Sequence, residues 1–181
     1  MDRERLEAEL AGLPLLQYAF FDPADLTFSQ RVRQICREEC PMYNRTWACP
    51  PAVGTVEECR ERLLAYPQGL MMTSVAEVND AANMEETLAT RGPHEALTRQ
   101  VRDLLLDQGL EVYALSTEAC TICKHCAWPD APCRHPDRMF PSVESHGILV
   151  TDLAERYGVE FLAGGNVVTW FSLLLFREGE S

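Results

Sequence analysis

Eight cysteines are the residues whose type and spacing point to chemistry, and they fall into two series. One is Cys120-x2-Cys123-x2-Cys126-x6-Cys133; the other is Cys36-x3-Cys40-x8-Cys49, with Cys59 trailing. Thiols two or three residues apart on short loops turn toward a common centre more readily than they pair as unstrained disulfides. The opening Met-Asp-Arg-Glu-Arg has no apolar signal-peptide core behind it, so a reducing, cytoplasmic setting is expected. Metal binding is therefore expected over disulfides or inert buried thiols.

The Cys120 series is the more specific. Two successive C-x2-C steps echo the C-x2-C-x2-C run that bacterial ferredoxins wrap around a cubane iron–sulfur cluster. Zinc sites more often bring two separated pairs, so the triple run favours iron–sulfur, with a structural zinc knot as the alternative. Cys133 lies seven residues beyond Cys126, which departs from the ferredoxin spacing. Pro129, Pro132 and Pro136 stiffen the surrounding backbone, and Ile122 and Trp128 stand ready to exclude water.

The Cys36 series needs a helix to work. Phe28, Val32 and Ile35 step as one buried helical face, with Thr27 as the expected N-cap. Cys36 and Cys40, four residues apart near its end, then face one side. Pro41 stops the helix, and the chain returns through Tyr43 and Trp47 to Cys49-Pro50-Pro51. Cys59 instead aligns with Val56, Leu63 and Tyr66 on the apolar stripe of a short helix, the pattern of a small core residue. A fourth thiol would make a closed cubane suited to electron transfer. Three would leave an open iron where water or substrate can bind.

Other candidates are weaker. His125, His135 and His146 fall in or just after the Cys120 series and are read as surface or neighbouring imidazoles rather than ligands. Arg134 is placed to hydrogen-bond an inorganic sulfide or a carboxylate such as Glu144. Glu144 itself is read as a helix-capping or supporting carboxylate rather than a general base. Trp47, Tyr43 and Trp128 are read as shields for the metal.

These residues must be positioned by an α+β fold, expected as one domain over 1–181. It would be a sandwich of one mainly antiparallel sheet with helices mostly on one face and two cysteine-rich metal-binding loops. Expected strands are Leu15–Phe21, Leu70–Val78 and Glu111–Thr117, the last delivering the chain into Cys120. Val159–Ala163 and Val167–Phe176 read as a hairpin around Gly164-Gly165-Asn166, a turn rather than a phosphate cradle. Helices are expected over Thr55–Tyr66, over Ile148–Tyr157, and around Leu97, Val101, Leu104 and Leu105, ending near Gly109. Asn79–Pro93 reads as a surface loop or short helix broken by Gly92-Pro93. The long segment from Glu118 to His146 lacks any periodicity, so a metal centre is expected to order it.

The ordered series Cys36-x3-Cys40-x2-Tyr43-x3-Trp47-x-Cys49-Pro50-Pro51, Cys120-x2-Cys123-x2-Cys126, Cys133-Arg134-His135-Pro136 and Pro141-Ser142-x-Glu144-x2-Gly147-Ile148 resembles a family of bacterial and archaeal proteins. Its members are described as predicted metal-binding proteins of unknown function. The resemblance spans roughly residues 30–175. It implies a metal site, iron–sulfur by preference, in organisms that often live without oxygen, with Cys36, Cys40, Cys49, Cys120, Cys123, Cys126 and Cys133 as the motif cysteines and Cys59 outside them. Asn44 stands where the resemblance calls for glycine. Leu149 stands where many members carry an acidic residue, which weakens any role for a carboxylate there.

Composition narrows the function. The 181 residues are 46% hydrophobic, enough for a packed core. With 16 basic against 28 acidic side chains, the net charge of −12 argues against nucleic acid and anionic membranes as partners. The stretch Val167–Phe176 is too short to span a bilayer. No nucleophile triad, Walker loop or dinucleotide fingerprint is present. A protein holding one or two [4Fe-4S] clusters and acting as electron carrier or redox accessory partner of an anaerobic enzyme is the leading expectation. The alternatives are an enzyme using a three-cysteine cluster with an open iron as Lewis acid, and a zinc-stabilised binding module. A cubane held by four thiolates adds roughly −2 to the charge, so a redox protein with a basic docking patch is the expected partner.

Overall fold

A computed structural model of the chain describes residues 1–160 and 166–179. Its centre is a four-stranded, wholly antiparallel sheet of β1 (Gln17–Phe21), β2 (Gln68–Glu77), β3 (Leu110–Leu115) and β4 (Val167–Glu178), in the order β1-β2-β4-β3. The last strand is inserted in the middle, with Met71 opposite Leu173 on one side and Tyr113 opposite Leu175 on the other. The sequence accounts for that placement. Every residue from Trp170 to Phe176 is buried, a continuous apolar run that only a strand covered on both faces can hide.

Alternate residues of the strands therefore feed two cores. Met71, Leu115, Phe171, Leu173 and Leu175 pack with Leu63 of α3 (Val56–Leu64) and Leu153 of α6 (Val150–Arg156). Leu70, Met72, Ala114, Leu174 and Phe176 pack with Leu6 and Leu10 of α1 (Arg3–Leu10) and with Leu97, Val101 and Leu105 of α5 (Arg91–Leu106). Each buried Val, Leu, Met or Phe side chain among them contributes about 1.5–3 kcal/mol, so these layers, not the loops, hold the sheet together. The α+β class and the single antiparallel sheet agree with the sequence. Helices cover both faces rather than mostly one, because the apolar runs of β2 and β4 leave neither face polar.

Local differences have local causes. α5 begins at Arg91 and runs straight through Gly92-Pro93, which the sequence suggested as a breaker. Pro93 occupies the first turn, where its missing N–H has no intrahelical partner to lose. α4 (Met84–Ala89) precedes it as the short helix of the 79–93 segment. α3 is capped at its start, with the Thr55 hydroxyl and the Glu58 carboxylate each accepting from the other's backbone amide. The hairpin expected around Gly164-Gly165-Asn166 falls on residues 161–165, outside the described residues; of its two strands, Val167 onward is β4, flanked by β2 and β3. Among the described residues, no helix is long and apolar enough to cross a membrane.

Candidate metal centre

α2 (Gln30–Glu39) carries Cys36 in its last turns and ends at Cys40, one residue before Pro41. Its N-cap is Ser29, not Thr27. Residues 27–29 are occupied instead by pairing with 147–149: Phe28 bridges Ile148, Ser29 N–H donates to the Gly147 carbonyl at 2.7 Å, and Leu149 N–H donates to Thr27 at 2.9 Å. Gly147 has φ of +72°, and a Cβ there would meet Ser29 O and a Val56 methyl, both at 3.1 Å. The glycine thus lets α2 close against the 3-10 turn Glu144–His146, and Cys36 Sγ donates to the Glu144 carbonyl at 3.9 Å.

The face of α2 expected to be buried is not. No α2 residue is buried, and Ile35 is 48% exposed. Val32 and Ile35 instead form one wall of an open cleft of about 370 Å³, completed by Cys36, Cys40, Tyr43, Cys49, Pro50, Glu118, Ala119, Ser142 and Glu144. The chain coils from Cys40 to Cys49 through short turns, with Asn44 N–H donating to Pro50 at 2.7 Å and Cys49 N–H to Thr46 at 3.3 Å. This brings all three thiols of the Cys36 series to one cleft.

The Cys120 series forms a second, smaller chamber. Cys120, Cys123, Cys126 and Cys133 line a space of about 20 Å³ with Trp47, Ile122, Ala127, Arg134, His135 and Met139. Arg134 donates to the His125 carbonyl at 2.8 Å, closing the loop on itself rather than reaching a carboxylate. The loops are laced together. Trp47 Nε1 donates to Ala131 at 3.0 Å, Trp128 Nε1 donates to Asn44 Oδ1 at 2.9 Å, and the two indoles meet edge to face at 4.7 Å. Asn44 has φ of +57°, the left-handed region that glycine favours and asparagine tolerates. The departure from glycine therefore keeps the turn and adds an anchor for Trp128. Ala119 lines the cleft and Cys120 the chamber, so the two thiol groups stand side by side. A larger open groove of about 580 Å³ shares Trp47 and Met139 with the chamber but is lined by no thiol.

None of the eight cysteines is in a disulfide. Cys59 is fully buried in α3 and donates to the Val53 carbonyl at 3.4 Å, which places it in the core as its helix-face position indicated. Burial pushes the Cys49 thiol up to about 11, with the Thr46 hydroxyl pulling it down. Burial likewise raises Cys36, with Cys40 and Glu144 adding to it, and raises Cys120. Such thiols stay protonated at neutral pH until a cation supplies the charge that ionises them. Burial also pushes the Glu144 carboxyl up to about 7, against backbone amides that pull it down.

Among the described residues, no three His, Cys, Asp or Glu side chains converge closely enough to grip a single metal ion. The donor chemistry nevertheless suits a thiophilic metal: four thiols with apolar walls in one chamber, three beside an open cleft in the other. The cleft has room for a cluster beyond its thiols. The chamber has free space for one water-sized body, and its cysteines are only half-buried, so their side chains have solvent to turn toward.

His146 departs from the reading of a surface or neighbouring imidazole. It is 0% exposed, meets the Tyr113 hydroxyl at 3.0 Å, and burial pushes it down to about 3. Two supporting residues had no signal of their own in the sequence. Arg91, buried on α5, donates to the Ala119 carbonyl, to Thr121 Oγ1 at 3.3 Å and to Glu95 at 2.9 Å, fixing the entrance to Cys120. Its i, i+4 spacing from Glu95 becomes visible once the helix is extended back through Pro93. His94 sits between the Ser74 hydroxyl at 2.7 Å and the Ser172 hydroxyl at 2.9 Å, linking α5 to β2 and β4.

No curated protein and no solved structure matches the chain. The family described as "Predicted metal-binding protein (DUF2284)" matches residues 19–176, which takes in both thiol groups, β2, β3 and most of β1 and β4. With its two thiol-lined sites, the chain belongs to this predicted metal-binding family.

Proposed function

We propose that the protein binds iron–sulfur clusters and works as a redox protein of the cytoplasm, passing electrons to or from a partner enzyme of anaerobic metabolism. One [4Fe-4S] cluster would be held by Cys120, Cys123, Cys126 and Cys133, and a second by Cys36, Cys40 and Cys49. The observation that carries this reading is the sorting of the eight thiols: seven line two adjacent cavities, and Cys59, fully buried, lines neither. Bound clusters supply one-electron chemistry. The chain's own part is to hold the thiolates, to exclude water with Trp47, Ile122 and Met139, and to present acidic surface to a basic partner.

A second reading is favoured by the open cleft. Its volume of about 370 Å³ falls in the range of small-molecule sites, and Val32, Ile35, Tyr43 and Pro50 give it apolar walls. A three-thiol cluster there would leave one iron able to polarise a small substrate. Anaerobic purification followed by reduction tests both readings. Brown protein that bleaches with dithionite and gives reduced-cluster paramagnetic resonance signals is expected. Colourless protein with stoichiometric zinc would refute both and leave the zinc-stabilised module.

A further inference from the structure

The cleft offers three thiols, and a cubane has four irons to satisfy. Cys59 is not placed to be the fourth donor, since it lies in the core, donates to Val53 and has Arg33 Nη2 at 3.7 Å from its sulfur. Two carboxylates line the same cleft, Glu118 and Glu144, and no basic side chain lies among its described lining residues. They differ in one respect. Glu118 is exposed to solvent. Glu144 Oε2 is sealed from solvent and makes no hydrogen bond of its own among the described residues, although the Glu118 and Glu144 amides and the Ser142 hydroxyl bear on the same carboxyl. A sealed acceptor without a donor is costly, and more so when charged, so such an oxygen marks a position completed by something the cleft takes up.

The backbone already brings this residue to the thiols. Its carbonyl receives the Cys36 thiol at 3.9 Å, and the Gly147–Ser29 contact pins the turn it belongs to. We infer that Glu144 is the fourth ligand of the centre held by Cys36, Cys40 and Cys49, its carboxylate binding the iron that no thiolate reaches. The inference rests on the cluster reading above and deepens it. A carboxylate is a harder donor than a thiolate and holds this type of iron less firmly. Such a centre would be closed at rest, and a substrate that displaced Glu144 would open it, which joins the redox and open-iron readings in one site.

The test is Mössbauer spectroscopy of the full chain reconstituted with iron-57 and sulfide, with iron extraction by a chelator followed in parallel. Signals lost in Cys40→Ser identify the first centre. In the wild-type protein, one iron of that centre should show parameters apart from its thiolate-bound neighbours. Glu144→Cys should bring it into line with them, and Glu144→Gln, which keeps the side chain's shape, should change it in another direction. Glu144→Ala should lose one iron to the chelator at least about tenfold faster. Wild-type spectra and extraction rates unchanged in Glu144→Gln and Glu144→Ala would overturn the ligand assignment while leaving the cluster reading standing. Absence of any iron that depends on Cys40 would overturn the cluster reading at this centre and the assignment with it.

Discussion

Asn44 gives the sharpest test of how the two cysteine loops are held together, because it does two separable things. Its backbone occupies φ of +57°, and its side chain accepts the Trp128 indole N–H at 2.9 Å. Alanine at a left-handed position costs about 1–2 kcal/mol, part of which asparagine already bears, so about 1 kcal/mol is charged to the backbone. Loss of the indole hydrogen bond adds about 0.5–1.5 kcal/mol. Asn44→Ala should therefore destabilise by about 2 kcal/mol. Asn44→Gly relieves the backbone while loosening the unfolded chain, and should cost about 1 kcal/mol or less. Trp128→Phe removes the hydrogen bond together with part of the packing on Trp47, and adding Asn44→Ala to it should then cost only the backbone share, about 1 kcal/mol. Urea unfolding of the four variants measures all of this. Equal loss in the alanine and glycine variants would refute the backbone argument. An Asn44→Ala penalty undiminished by Trp128→Phe would refute the hydrogen bond.

Three further outcomes follow from the packing. Burial holds His94 down from 6.5 to about 4, so it is neutral in the fold while the unfolded chain takes up a proton below 6.5. Its contribution to stability is complete above pH 6.5 and drains away as pH falls to 4, by about 3 kcal/mol over the window; His94→Gln should flatten unfolding free energy against pH by that amount, and an unchanged slope would contradict it. Arg91→Met leaves buried Glu95 with only the longer Arg99 contact at 3.8 Å and frees the Ala119 carbonyl, so it should cost about 3 kcal/mol in chemical denaturation and loosen the metal at the Cys120 site, whereas a loss below 1 kcal/mol would contradict the assigned role. Removal of metal should raise amide exchange through residues 118–143 while β4 stays protected, because Phe140, Val143 and Ala119 are the buried apolar residues of that long segment; protection retained without metal would count against it.

The sorting of the thiols into two cavities was legible in spacing. Clusters of thiols two or three residues apart can reach a common cavity whatever the fold around them, so the grouping of three and four survived into the structure. Cys59 was legible for the opposite reason: its alignment with Val56 and Leu63 marks a helix face, and that face is buried. The Val32–Ile35 stripe obeys the same periodicity yet lines a cleft, since periodicity reports an apolar face and not what covers it. The middle position of β4 depends on long-range pairing, which a local pattern cannot carry, although its unbroken apolar run does signal cover on both faces. Arg91 and His94 were hidden by Gly92-Pro93, a pair that breaks helices in their interior and is tolerated in their first turn. Glu144 was visible as a motif residue, but its sealed oxygen is a property of the folded cleft alone.

The most direct test of the account is the amount of iron, acid-labile sulfide and zinc per chain in anaerobically purified protein, compared across wild type, Cys126→Ser, Cys40→Ser and Cys59→Ser. Two cubanes predict about eight irons with matching sulfide, about four of each lost with Cys126→Ser or with Cys40→Ser, and full content in Cys59→Ser. Stoichiometric zinc without sulfide, or iron that depends on Cys59 and not on Cys40, would contradict it.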